Sequence, residues 1–148
     1  MKGFPDLPPL WLLLFLVLNW LLTLIVPGNT SAPVLRFAGY GIAGLGFVAI
    51  FWSAYWFWRR KTTIEPHHAP TNLIIEGPYR LSRNPIYLGM VLILLGAVLW
   101  AGQPVGLIFV VLFFGILTRR FVQPEETALR EAFGEEADTY ISRTRRWL

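Results

Sequence analysis

Residues 72–89 read NLIIEGPYRLSRNPIYLG. Two Arg, one Glu, two Tyr and two Pro crowd into a stretch with long apolar runs on both sides. Leu10 to Val26 and Val34 to Trp58 precede it, Ile86 to Ala101 and Val105 to about Leu117 follow it, and these runs are almost free of charge. Runs of that kind belong in a bilayer, where backbone N–H and C=O groups must be satisfied within a helix. The polar stretch is then a loop at a membrane surface. The fold class expected is all-α, an integral membrane protein with four transmembrane helices over about 10–26, 34–58, 85–101 and 105–120. A cytoplasmic loop, 59–84, and a cytoplasmic tail of short helices, 121–148, complete a single domain.

Composition agrees. Of 148 residues 55% are hydrophobic and only 15% are charged, less charge than a soluble domain of this size carries. The absence of cysteine excludes disulfides, thiolate catalysis and Cys-based metal sites. The net charge of +4 is explained by basic residues at helix ends, which set topology and meet anionic lipid, so membrane lipids and no nucleic acid are the expected partners.

The first run follows Lys2 and resembles a signal peptide in that respect. At about 17 residues it is longer than a usual signal core and no small-x-small site follows it, so it reads as a membrane helix stopped by Pro27-Gly28-Asn29. The second run is long enough, at about 25 residues or roughly 37 Å, to require tilt or protrusion. Ala38, Gly39, Gly41, Ala43, Gly44 and Gly46 give it small residues for close helix packing; a ligand contact is the alternative use. Trp52, Tyr55, Trp56 and Trp58 before Arg59-Arg60-Lys61 form an interfacial aromatic belt with a basic stop, or alternatively a stacking surface.

The third and fourth runs are short and turn at Gly102-Gln103-Pro104, as a membrane hairpin does. Asn84-Pro85 offers an N-cap and a first-turn proline to the third helix. Pro124-Glu125-Glu126 offers a helix start in the tail, and Gly134 its end. With four spans, both termini and the central loop share one side. Nearly all the basic residues lie there and only Arg36, at a span end from which it can snorkel, lies opposite, so that side is cytoplasmic, at the inner membrane in a bacterial cell.

The same topology brings loop 62–85 and the tail from Arg119 to one face. Arg80 and Arg83 can hold an anion, Asn84 can donate and accept, and Glu125 and Glu126 oppose the loop arginines in charge. A site and a loop merely pinned to a tail by salt bridges both fit that spacing. The segment Gly77-Pro78-Tyr79-Arg80-Leu81-Ser82-Arg83-Asn84-Pro85-Ile86-Tyr87-Leu88-Gly89 resembles the signature of the isoprenylcysteine carboxyl methyltransferase and phospholipid methyltransferase group. The tail pattern of Glu125-Glu126, Leu129, Phe133-Gly134, Tyr140 and a basic end is similar to that group too, and so is the stretch from Thr71 to Ile74.

The resemblance implies a membrane enzyme that takes S-adenosylmethionine as cofactor. It implies Asn72, Leu73, Ile74, Tyr79, Asn84, Pro85, Ile86, Tyr87, Glu125 and Glu126 at the cofactor, with Arg120 and Arg83 on the catalytic, substrate-facing side. The acceptor implied is lipophilic, the carboxylate of an isoprenylcysteine-like molecule or a related lipid, with a phospholipid amine as alternative. Two departures stand out. Some relatives carry His at the position of Asn84, and an aromatic at that of Ala137. The spacing from Arg120 to the glutamates is also off by about a residue. Outside the resemblance, a non-catalytic membrane assembly protein whose loop and tail dock by charge accounts for the same residues.

Other polar residues have structural uses. His67-His68 reads as a solvated loop pair, since adjacent residues do not converge on a metal, and no metal site is expected. Asn19 reads as an interhelical hydrogen bond.

Overall fold

A computed structural model describes residues 6–26, 32–60 and 73–148. Lys2, Pro27-Gly28-Asn29, Lys61, His67-His68 and Thr71 lie outside the described residues. The described chain is helical. Its elements are α1 (Pro8–Ile25), α2 (Pro33–Arg60), a 3-10 turn (Gly77–Arg80), α3 (Pro85–Ala101), a second 3-10 turn (Pro104–Gly106), α4 (Leu107–Leu117), a π-turn (Thr118–Val122), α5 (Gln123–Phe133) and α6 (Glu135–Arg143).

α3 is the centre. Ten of its residues are buried, including Leu94 and Val98 on one side and Gly89, Ile93 and Gly96 on another. The other long helices turn apolar side chains outward: Ile25 and Val34 are each 75% exposed, and Trp20, Phe37, Phe51 and Val111 stand out beside them. An apolar surface that broad on α1, α2 and α4 requires lipid to cover it. Among the described residues three helical stretches are long and apolar enough to cross a membrane: Pro8–Ile25, Pro33–Arg59 and Pro104–Phe133. The expected third span, α3, has 17 residues and reaches roughly 25 Å, short of the roughly 30 Å of a hydrocarbon core.

Glycine sets the distance between α2 and α3. A methyl group on Gly96 would lie 2.5 Å from the Gly39 carbonyl oxygen, and one on Gly46 the same distance from that of Gly89. The two backbones touch at these points, in antiparallel register. Gly41 and Gly44 meet nothing within 4 Å. The small residues of α2 are thus a packing stripe on one face only. α1 runs parallel to α3, held by Asn19 Nδ2 to the Ala97 carbonyl (3.4 Å) and by Gln103 Nε2 to the Val26 carbonyl (3.2 Å). The Asn19 hydrogen bond has the interhelical use expected of it.

The fourth run and the first helix of the tail join without a break. Helix continues from Leu107 through the π-turn into α5. Pro124 explains this: it has no N–H, and its ring would clash with the carbonyl four residues back. The wider turn before it gives room, with the Gln123 N–H reaching the Thr118 carbonyl instead. Pro124 stands in the first turn of α5 with Glu125 and Glu126, as expected, and that turn follows the π-turn without a break. From these registers the start of α1, the end of α2, the start of α3 and the end of α4 meet at one end of the bundle.

Candidate active site

That shared end carries the polar loop. Gly77 opens the first 3-10 turn at φ 60°, a conformation strained for other residues, and its α-carbon abuts the Trp56 indole, which leaves no space for a side chain. The turn delivers Tyr79 into an aromatic cluster with Ile74, Tyr140, Trp56, Phe57 and Leu73. Its ring meets Phe57 edge-on at 5.7 Å. The Tyr140 hydroxyl, from α6, donates to the Tyr79 carbonyl at 2.8 Å. Burial raises both phenols above their ordinary range, so each remains a proton donor. Tyr140→Phe leaves that carbonyl without its donor and should lower unfolding stability by about 1–3 kcal/mol, measurable by thermal denaturation in detergent.

The chain end forms a strap across the next residues. The Arg83 N–H donates to the Arg145 carbonyl (3.0 Å), and both Asn84 Nδ2 (2.9 Å) and Ser82 Oγ (3.3 Å) donate to the Arg146 carbonyl. Trp147 then packs on Phe114 at 4.5 Å between ring centres. Asn84 occupies the N-cap position of α3 but its side chain makes no cap hydrogen bond; its Nδ2 donates to the strap instead. The expected capping is corrected in that respect; Pro85 does stand at the first helical position.

Two glutamates on α5 close the site. The Tyr87 hydroxyl, one turn into α3, donates to Glu125 in a short hydrogen bond, and its ring lies 6.2 Å from Phe121. Glu126, 6% exposed, accepts Arg146 Nε at 2.9 Å and Nη2 at 2.7 Å, a forked pair, and faces Arg83 Nη2 at 3.3 Å. Burial lowers the Arg83 pKa while Glu126 pulls it back up; the hydrogen bonds to Glu126 raise that of Arg146.

The structure therefore joins Tyr87 to Glu125 and Arg83 to Glu126, and ties Tyr79 and Asn84 into the same frame. Ile74 is buried beside Tyr79, Leu73 half-buried there; Pro85 is buried, and Ile86 packs on the main core. Asn72 lies outside the described residues. Arg120 goes elsewhere. Its Nε donates to Asp6 at 2.5 Å, its guanidinium lies over the Trp11 ring at 5.6 Å, and its side chain is 55% exposed. Arg80 is exposed. Sequence reasoning gives no role of their own to Arg146, Ser82 or Asp6, and places Trp56 in an interfacial belt or stacking surface rather than in this cluster. The basic chain end was the one available signal for Arg146, and its partners are up to 64 residues away in sequence.

A family model described as phospholipid methyltransferase matches residues 34–136. The chain belongs to that family. The match runs from the start of α2 into α6 and so includes the polar loop and both glutamates. An uncharacterized protein of Haemophilus influenzae is 36% identical over 63 residues, which is 43% of this chain and 100% of the relative. No solved structure matches. Membership of the phospholipid methyltransferase family fits an apolar helical bundle with one polar end: methyl transfer is the family's chemistry and the membrane its setting.

Proposed function

We propose that this protein transfers a methyl group from S-adenosylmethionine to a lipophilic acceptor at the cytoplasmic face of the membrane. In this proposal α3 joins the three longer stretches as a fourth, central membrane helix, and both termini are cytoplasmic. One observation carries it: the family's polar loop and the α5 glutamates, 38 residues apart in sequence at Tyr87 and Glu125, are hydrogen-bonded to each other at one end of the bundle.

The residues present suit such a donor. Glu125 offers a carboxylate to a cationic group. Tyr79 and Tyr87 offer aromatic faces, with Leu73, Ile74, Pro85 and Ile86 beside them. Trp56 Nε1 is a buried N–H with no partner among the described residues, and so seeks an acceptor. When bound, the donor supplies an electrophilic methyl group on a sulfonium. The chain's task is alignment and exclusion of water, which needs no nucleophilic side chain. Arg83 is the cation in this network that can meet an anionic group of the donor or the acceptor, whereas Arg120 is engaged by Asp6 and Trp11 apart from it. A carboxylate acceptor, as on an isoprenylcysteine, arrives ionised and requires no base. A phospholipid amine is the second reading, favoured by the description of the matching family; it must lose a proton, and Glu125, oriented by Tyr87, is the group placed to take it.

S-adenosylhomocysteine should raise the melting temperature of the purified protein, since a ligand that binds only the folded state stabilises it. Tyr87→Phe, which leaves Glu125 without its donor, should weaken that binding about tenfold. An unchanged melting temperature with both S-adenosylmethionine and S-adenosylhomocysteine would favour the non-catalytic assembly protein instead.

A further inference from the structure

The buried cation in this network is left unfinished. The Arg83 side chain is 10% exposed, and Nη2 faces Glu126 at 3.3 Å. Nε and Nη1 are both buried and have no hydrogen-bond partner among the described residues. Glu126 does not reach them: its Oε1 meets only Nη2, and its two oxygens are oriented toward Arg146 by a forked pair at 2.9 and 2.7 Å. Two arginines thus share one carboxylate, and the cluster carries net positive charge. A guanidinium has two forked edges that meet at one terminal nitrogen, with Nε on one and the other terminal nitrogen on the second. Glu126 approaches that shared nitrogen, so whichever proton it engages, one fork stays open. Buried N–H groups are nearly always satisfied, and two orphans on one cation mark a place where an acceptor belongs. The position is held rigidly: the Arg83 N–H is bound to the Arg145 carbonyl, and Ser82 and Asn84 on either side are bound to that of Arg146.

We infer that Arg83 is a seat for an oxyanion, a carboxylate or phosphate of a bound ligand. The seat rests on the proposed function in one respect only, that the ligand is the methyl donor or its lipid acceptor. The donor brings an amino-acid carboxylate; a phospholipid brings a phosphate. Arg146 is a positioning residue for this seat: by holding Glu126 it keeps that carboxylate from folding onto the open fork.

The test uses the full chain in a phosphate-free maltoside detergent, as wild type, Arg83→Lys and Arg83→Gln. Two ligand pairs each differ by one anionic group: S-adenosylhomocysteine with its decarboxylated analogue, and a short-chain phosphatidic acid with the matching diacylglycerol. Wild type should bind the anionic member of at least one pair about ten- to hundredfold more tightly, and both variants should lose that preference. Arg83→Lys keeps a cation beside Glu126, and with it the fold, but has no fork. Loss in the first pair assigns the seat to the donor carboxylate, and loss in the second to a lipid phosphate. A preference that survives in the variants, or none in wild type for either pair, overturns the seat. Wild type that binds neither nucleoside yet prefers phosphatidic acid sinks the methyl-donor reading and leaves the seat standing.

Discussion

Glu126→Ala should lower the unfolding free energy by about 3–5 kcal/mol, the cost of breaking a buried ion pair from one side. Glu126 pairs with both Arg83 and Arg146, and its side chain is 8% exposed. Without it the buried Arg83 cation has no counter-charge there, and the strap loses the side-chain half of its attachment. Arg146 is 39% exposed and regains water, which keeps the effect toward the lower end. Adding Arg83→Met should restore part of the stability, because the unpaired buried charge is then gone. Denaturant or thermal unfolding of the two variants in detergent measures both effects. A loss under about 1 kcal/mol for Glu126→Ala would mean that the triad is solvated and contributes little.

Gly96→Ala should cost about 1–3 kcal/mol and possess a control in the same helix pair. The added methyl group would sit 2.5 Å from the Gly39 carbonyl oxygen and 2.8 Å from Ala43, so α2 and α3 must separate along their length. Separation there also shifts Tyr87 relative to the end of α2, and donor binding should weaken with stability. Gly41→Ala meets open space and should change stability little or improve it by up to about 1 kcal/mol, since Ala is the better helix former. Equal effects from the two substitutions, read by thermal unfolding, would contradict the packing described for α2 and α3.

Much of this architecture was legible residue by residue. Apolar runs mark helices because a bilayer leaves the backbone no other way to satisfy itself. Gly102 and Gly134 were legible as turns, and both have positive φ. The polar stretch from Gly77 to Gly89 was legible as the chemical end of the molecule, and the α5 glutamates as its complement in charge. Less of the detail could be read. Asn84 looks like a helix cap by its neighbours, yet its amide is taken by a carbonyl 62 residues later. Pro124 looks like a helix start and does stand in the first turn of α5, but the π-turn before it, which joins that turn to α4, is not marked in the sequence. Arg120 and Arg83 look alike as basic residues beside a site, but one lies half in solvent on Asp6 and the other is buried with two nitrogens unpaired.

The sequence by itself determined an all-helical, membrane-embedded chain with its chemistry gathered in one loop and one tail, because periodicity, hydropathy and turn residues act over neighbours a few positions apart. Which helix stands at the centre, which glutamate meets Arg83 and which meets Tyr87, and that the last residues strap the loop were decided only by the tertiary structure. Those pairings depend on where backbones close to contact distance and on which buried charge finds a partner, and both are properties of segments far apart in the chain.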